Sequence, residues 1–214
     1  MAKIGWANEL KNSAVVTLNK YQNLTYFYGV AGLQNYGLLN DPSLTAPLAP
    51  VPKAAGGVSW LVGAQPNATA NEIFMDIQQL VIQLINQSNG LIDQDSQMTL
   101  AMSPRSKAAL TATNSFNVNV AKLLKDNFPN LEVKTAVQYG ALSTSNPQGS
   151  AGGEIVQLIA KNVEGQDSGY CAFNEKLRAG VIVRALSSFQ QKMVQGTFGC
   201  IVRQPFAISQ LIGV

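Results

Sequence analysis

The chain has 214 residues, of which 46% are apolar and 13% charged, and it carries a net charge of +3. That length and apolar fraction are enough to bury a substantial core, which excludes an intrinsically disordered chain. There is no histidine, so Ser-His-Asp and Cys-His nucleophile activation and histidine-dependent metal sites are excluded as well.

Asparagine and glutamine supply 36 residues against 27 charged ones, so much of the polar surface is amide. An amide both donates and accepts hydrogen bonds, and burying it at a subunit contact costs far less than burying an unpaired charge. The composition therefore suits a molecule with large protein-facing surfaces. No run of lysine or arginine forms a stripe, so the charge alone neither points to nucleic acid nor forbids it.

Taken in chain order, Ala7, Leu10, Ala14, Leu18, Tyr21 and Tyr28 recur at helical spacing and mark one side of a long helix over 4–28, ended by Gly29 and Gly32. Residues 42–66 hold five prolines and the pair Gly56-Gly57, which predicts an irregular connector. Thr69-Ala70-Asn71-Glu72 reads as a capping box. It opens a helix whose apolar face is Ile73, Phe74, Ile77, Leu80, Val81, Leu84 and Ile85, closed at Gly90.

Residues 97–102 read as a strand feeding Ser103-Pro104, a hydroxyl cap with proline at the first helical position, and a helix through Leu110. A further helix is expected over 118–126. Strands are expected over 131–138, 154–160, 180–186 and 197–203, with a Gly/Ser/Thr-rich loop at 140–153 whose Gly149–Gly153 cluster reads as mobile. Helices and strands do not alternate regularly, so the fold class is read as α+β.

The search for chemistry is largely negative. Neither G-x-x-x-x-G-K-[ST] nor G-x-G-x-x-G occurs. The run from Asp93 begins like a calcium loop, yet it has Met98 where glycine is required and Pro104 where a bidentate glutamate is required. Glu154, Glu164 and Asp167 are scattered carboxylates, and nothing in their spacing selects a pair. Arg203, beside a proline-bearing apolar segment, is read by default as a surface arginine covering a strand end. Cys171 and Cys200 read as reduced core thiols. No catalytic, cofactor-binding or metal-binding residue is assigned, no cofactor is implied, and no segment is long and apolar enough to cross a membrane.

Three phrases occur in a specific order. Gly29-Val30-Ala31-Gly32-Leu33-Gln34-Asn35-Tyr36 leads into Gly37-Leu38-Leu39-Asn40-Asp41-Pro42; later comes Met102-Ser103-Pro104-Arg105. Leu186-Ser187-Ser188-Phe189-Gln190-Gln191-Lys192 and Gly196-Thr197-Phe198-Gly199-Cys200-Ile201-Val202-Arg203-Gln204-Pro205 close the chain. Together they resemble the major capsid proteins of tailed bacteriophages, with the Hong Kong 97-type fold.

The resemblance implies a peripheral domain of residues 1–57 and 189–214, with the long helix as its spine, and an axial domain of residues 58–188 between them. It implies a structural, non-enzymatic protein that self-assembles through capsomer pentamers and hexamers into an icosahedral shell around DNA. That shell would make at most non-specific DNA contact, without a membrane, and its subunits would be made in the bacterial host cytoplasm. Members usually carry an N-terminal arm and an extended loop ahead of the spine helix. Their expected lack here leaves a monomer open to this chain. An encapsulin-like compartment shell, a virion decoration module and a histidine-free carboxylate enzyme are the alternative readings.

Overall fold

The computed structural model describes residues 6–214; the expected helix start at Ile4 lies outside them. The elements in chain order are α1 (Trp6–Tyr28), the two-residue strands β1 (Leu61–Val62) and β2 (Gln65–Pro66), α2 (Ala70–Gln87), β3 (Met98–Met102), α3 (Pro104–Ala109), α4 (Val120–Asn127), β4 (Leu131–Thr135), β5 (Ile155–Ala160), β6 (Asn162–Val163), β7 (Gln166–Asp167), β8 (Gly169–Arg184), β9 (Phe189–Val202) and β10 (Ile208–Ile212). They form two compact units. One comprises residues 6–42 and Tyr170–Val202, the other Ser43–Gly169 and Arg203–Val214.

The larger unit is built on a four-stranded sheet in the order β10-β5-β3-β4. Strand β3 is parallel to β4, with Met98 opposite Leu131, and antiparallel to β5, with Leu100 opposite Leu158. Parallel strands need a crossover connection, and α3 and α4 supply it. Central β3 is buried at four of its five positions, as expected of a strand covered on both faces.

Helix α2 lays Ile73, Ile77, Leu80, Val81 and Leu84 into the core as its periodicity predicts. Its capping box is complete: Glu72 N donates to Thr69 Oγ1 at 3.3 Å, and Thr69 N donates to the Glu72 carboxylate at 2.7 Å. Ser103 Oγ likewise accepts from Ser106 N at 2.9 Å at the start of α3, and Asn119 caps α4.

The connector is irregular apart from the small β1-β2 pair, and a buried ion pair anchors it to α2. Asp76 is fully enclosed and accepts from Lys53 Nζ at 2.5 Å, Trp60 Nε1 at 2.7 Å and Val51 N at 3.2 Å. This anchoring places residues 43–57 with the sheet unit, whereas the expected boundary fell after residue 57. The end of the chain differs in the same way. Strand β10 pairs with β5 from Ile208↔Ile159 to Ile212↔Ile155, so residues 203–214 belong to the sheet unit too.

The smaller unit contains α1 and a long hairpin formed by β8 and β9. Sequence reading expected two short strands, 180–186 and 197–203; they are the distal part of one arm and the proximal part of the other. Strand β8 is exposed at most positions and β9 is mostly half-buried from Met193 onwards, so neither arm shows the two-residue alternation that marks a strand with one buried face. Cys171 is exposed and Cys200 half-buried, which corrects their reading as core thiols. Strand β4 stops at Thr135, and Val137–Tyr139 forms a 3-10 turn.

Candidate assembly surface

The surface begins with how α1 is closed. Gly37-Leu38-Leu39-Asn40 folds back over the last turn: Leu38 N donates to Tyr26 O at 3.0 Å and Leu39 N to Phe27 O at 3.0 Å. Asn40 Nδ2 donates to Tyr28 O at 2.8 Å, while its Oδ1 accepts from Gly37 N at 2.7 Å. These contacts satisfy carbonyls that a helix end would otherwise leave orphaned. A Cβ at position 37 would lie 2.3 Å from the Phe27 carbonyl carbon, so the close approach requires glycine.

The apolar stripe expected on α1 exists, but the described chain does not bury it. Thr25 is the helix's buried residue, and Leu10 remains 70% exposed. Ala7, Leu10, Ala14 and Leu18 instead line an open groove of about 760 Å³, faced by Ile182, Phe189 and Met193 of the hairpin. Towards the hairpin tip Val181, Ile182, Val183, Leu186 and Phe189 are all exposed, Ile182 at 63% and Phe189 at 70%.

Charged residues accompany this strip along the hairpin. The hairpin carries Lys176, Arg178, Arg184 and Lys192 against Glu175. Arg178 pairs with Glu175 at 3.2 Å, and Arg184 lies over the Phe189 ring at 5.9 Å from its centroid. An apolar strip with a polar rim is the anatomy of a protein contact surface. An exposed apolar patch of this kind on a folded chain marks an interaction site.

The carboxylates separate by role. Glu154 is buried, accepting from Ser106 Oγ and from Arg105 Nη1 at 3.2 Å, with Ser103 Oγ at 3.4 Å. Arg105 also donates to Gly63 O at 2.8 Å and Leu61 O at 3.2 Å, tying the β1-β2 turn to α3. Residues of the 140–153 loop line a cavity of about 340 Å³ beside this cluster. The loop is itself tied down, Ser150 N donating to Gly140 O at 2.7 Å and Leu142 N to Ser150 O at 2.8 Å.

Glu164 occupies a positive-φ turn between β6 and β7, and Asp167 lies exposed in β7. Arg203 donates its peptide N–H to Ser168 O at 2.9 Å as the chain leaves β9. Among the described residues no three His, Cys, Asp or Glu side chains cluster to hold a metal ion, and no helix is long and apolar enough to cross a membrane.

The long helix α1, the β8-β9 hairpin and the sheet unit are the elements of a capsid fold. The structure titled "The capsid of Myoviridae Phage XM1" superposes with a TM-score of 0.74 at 12% identity, covering 99% of this chain and 66% of that one. The α+β architecture is thus the Hong Kong 97-type. The family model described as Pa193 gp26 major capsid protein matches residues 1–213, and the chain belongs to that family.

Two other similar structures are a phage-related protein from Bordetella bronchiseptica RB50 and a virus-like particle from Pyrococcus furiosus. The first has a TM-score of 0.49 at 16% identity and covers 81% of this chain; the second has 0.46 at 13% and covers 76%. The chain spans 66%, 59% and 56% of the length of these three structures. No curated protein matches the chain.

Proposed function

We propose that this chain is a coat subunit of a tailed bacteriophage that self-assembles through pentamers and hexamers into an icosahedral shell around packaged DNA, a structural and not a catalytic role. The α1-hairpin unit acts as the peripheral domain and the sheet unit as the axial domain. Synthesis takes place in the bacterial cytoplasm and the working location is the virion. DNA contact is non-specific, since a net charge of +3 without a basic run supports only diffuse attraction to phosphate.

The observation that carries this reading is the uncovered apolar strip on the hairpin together with the open groove along α1. Burying one Leu, Ile or Phe side chain contributes about 1.5–3 kcal/mol, so a few such residues repeated at every subunit contact can hold a shell. Ile182→Asp combined with Phe189→Asp tests it. Both side chains are exposed within the subunit, so the variant is expected to keep the wild-type circular dichroism and melting temperature while losing particles in sedimentation velocity. A variant that assembles like the wild type would refute the role of this surface.

A further inference from the structure

We propose that Cys171 and Cys200 form a redox pair that closes into an intrachain disulfide across the root of the β8-β9 hairpin. The proposal stands apart from shell assembly and can fail without it. Cys171 is the third residue of β8 and Cys200 the third from the end of β9, so the two strands carry them to the same end of the hairpin. Thr197 Oγ1 of β9 donates to the carbonyl of Ala172, the neighbour of Cys171, at 3.0 Å, so the two strands face each other at this end. Twenty-nine residues apart in sequence, they share a place only because the hairpin folds back on itself.

The ladder is irregular at this point. Gly199 has φ +81 inside β9, and its N–H donates to Thr197 Oγ1 at 3.1 Å, while the same hydroxyl donates to Ala172 O at 3.0 Å. A Cβ at Gly199 would come within 2.7 Å of Asn35 Oδ1. A bulge-like break therefore sits directly beside Cys200 and is held in place by two side chains.

The two thiols are unequal in a way that suits thiol-disulfide exchange. Cys171 is exposed to reagent, and its interaction with the Cys200 side chain holds its thiol down to about 7. Cys200 is pushed up, first by its hydrogen bond to Cys171, then by burial and by the charges of Cys171 and Asp41. The exposed Cys171 is the thiol that a reagent meets first, ahead of the half-buried Cys200.

The oxidant is a small-molecule disulfide such as glutathione disulfide. The Cys171 thiolate attacks one of its sulfurs, forming a mixed disulfide and expelling one glutathione thiolate. The Cys200 thiol loses its proton to solvent and attacks the Cys171 sulfur, expelling the second glutathione as its thiolate. Two protein thiols are oxidised and one glutathione disulfide is reduced to two thiols. In a reducing cytosol the pair stays open, and in an oxidising medium it closes.

The test uses the whole chain. Protein is incubated with glutathione disulfide at neutral pH, capped with N-ethylmaleimide and digested with trypsin without reduction. Lys161, Lys176, Lys192 and Arg203 delimit peptides 162–176 and 193–203, each holding one cysteine. The expected result is these two peptides joined, a monomer about 2 Da lighter than the reduced chain, and separation on reduction.

With Cys200→Ser the reaction should stop at a stable Cys171-glutathione adduct, and Cys171→Ser should react at least about tenfold more slowly than Cys200→Ser. Both cysteines capped by maleimide after oxidation, a glutathione adduct persisting in the wild type, or a disulfide-linked dimer in place of the internal link would each overturn the proposal.

Discussion

Replacing Asp76 by alanine should be among the most damaging single changes in the sheet unit. The carboxylate is fully enclosed and receives Lys53 Nζ, Trp60 Nε1 and Val51 N. Its removal strands the Lys53 ammonium, also fully buried, and leaves the indole N–H without an acceptor. Breaking a buried pair from one side costs about 3–5 kcal/mol. In a chain of this size each kcal/mol lowers the melting temperature by about 2–4 °C, so the loss should be roughly 6–20 °C.

Trp60 reports on the site directly, because it is 1% exposed while Trp6 is 70% exposed. Thermal and urea melts of Asp76→Ala, followed by tryptophan emission, measure the cost. Lys53→Met with Asp76→Leu removes both charges together and should cost less than either single change, giving a large coupling in a double-mutant cycle. A loss within about 0.5 kcal/mol for Asp76→Ala, as for an ordinary surface change, would refute the reasoning. So would additivity of the two single variants.

Other outcomes follow from local geometry. Thr69→Ala removes the cap of α2 and should cost about 1 kcal/mol in urea unfolding. The Glu72 carboxyl is held below its usual range, chiefly by the hydrogen bond from Thr69 N and then that from Ala54 N. A lowered folded value means that its stabilisation is fully present above the ordinary carboxyl value of 4.5 and is lost as pH falls through the folded value. The melting-temperature gap between wild type and Glu72→Ala should therefore be widest near neutrality and narrow in acid; a constant gap would contradict this. Gly37→Ala drives a Cβ into the Phe27 carbonyl and should loosen the end of α1, seen as faster amide exchange at Leu38 and Leu39.

What could be read from the sequence was what short segments decide for themselves. The Thr69-Glu72 box, the Ser103-Pro104 start and the apolar face of α2 each depend on residues within one or two turns, and all three stand as expected. The Gly-Leu-Leu-Asn phrase was legible as a family mark but not as the cap that closes α1, because its partners Tyr26, Phe27 and Tyr28 lie a whole turn-back away. The hairpin escaped in extent because β8 is mostly exposed and β9 no more than half-buried over most of its length, so no alternation reveals its arms. Lys53 with Asp76, Arg105 with Glu154, and Cys171 with Cys200 escaped because each pair is made by tertiary return of the chain. Their separations of 23, 49 and 29 residues carry no local signal.

The search of the sequence for chemistry rested on residue types and motif spacing. It did not place Glu154 beside two serines and an arginine. There the carboxylate serves to tie the β1-β2 turn and the start of α3 together.

The most direct measurement is the mass of the wild-type protein by light scattering across a concentration series, paired with negative-stain imaging of the same samples. Assembly into closed particles of uniform diameter, with a subunit-to-particle transition that steepens as concentration rises, is the predicted result. A chain that remains a monomer at every concentration and ionic strength would contradict the account of the α1-hairpin face as a shell-forming surface.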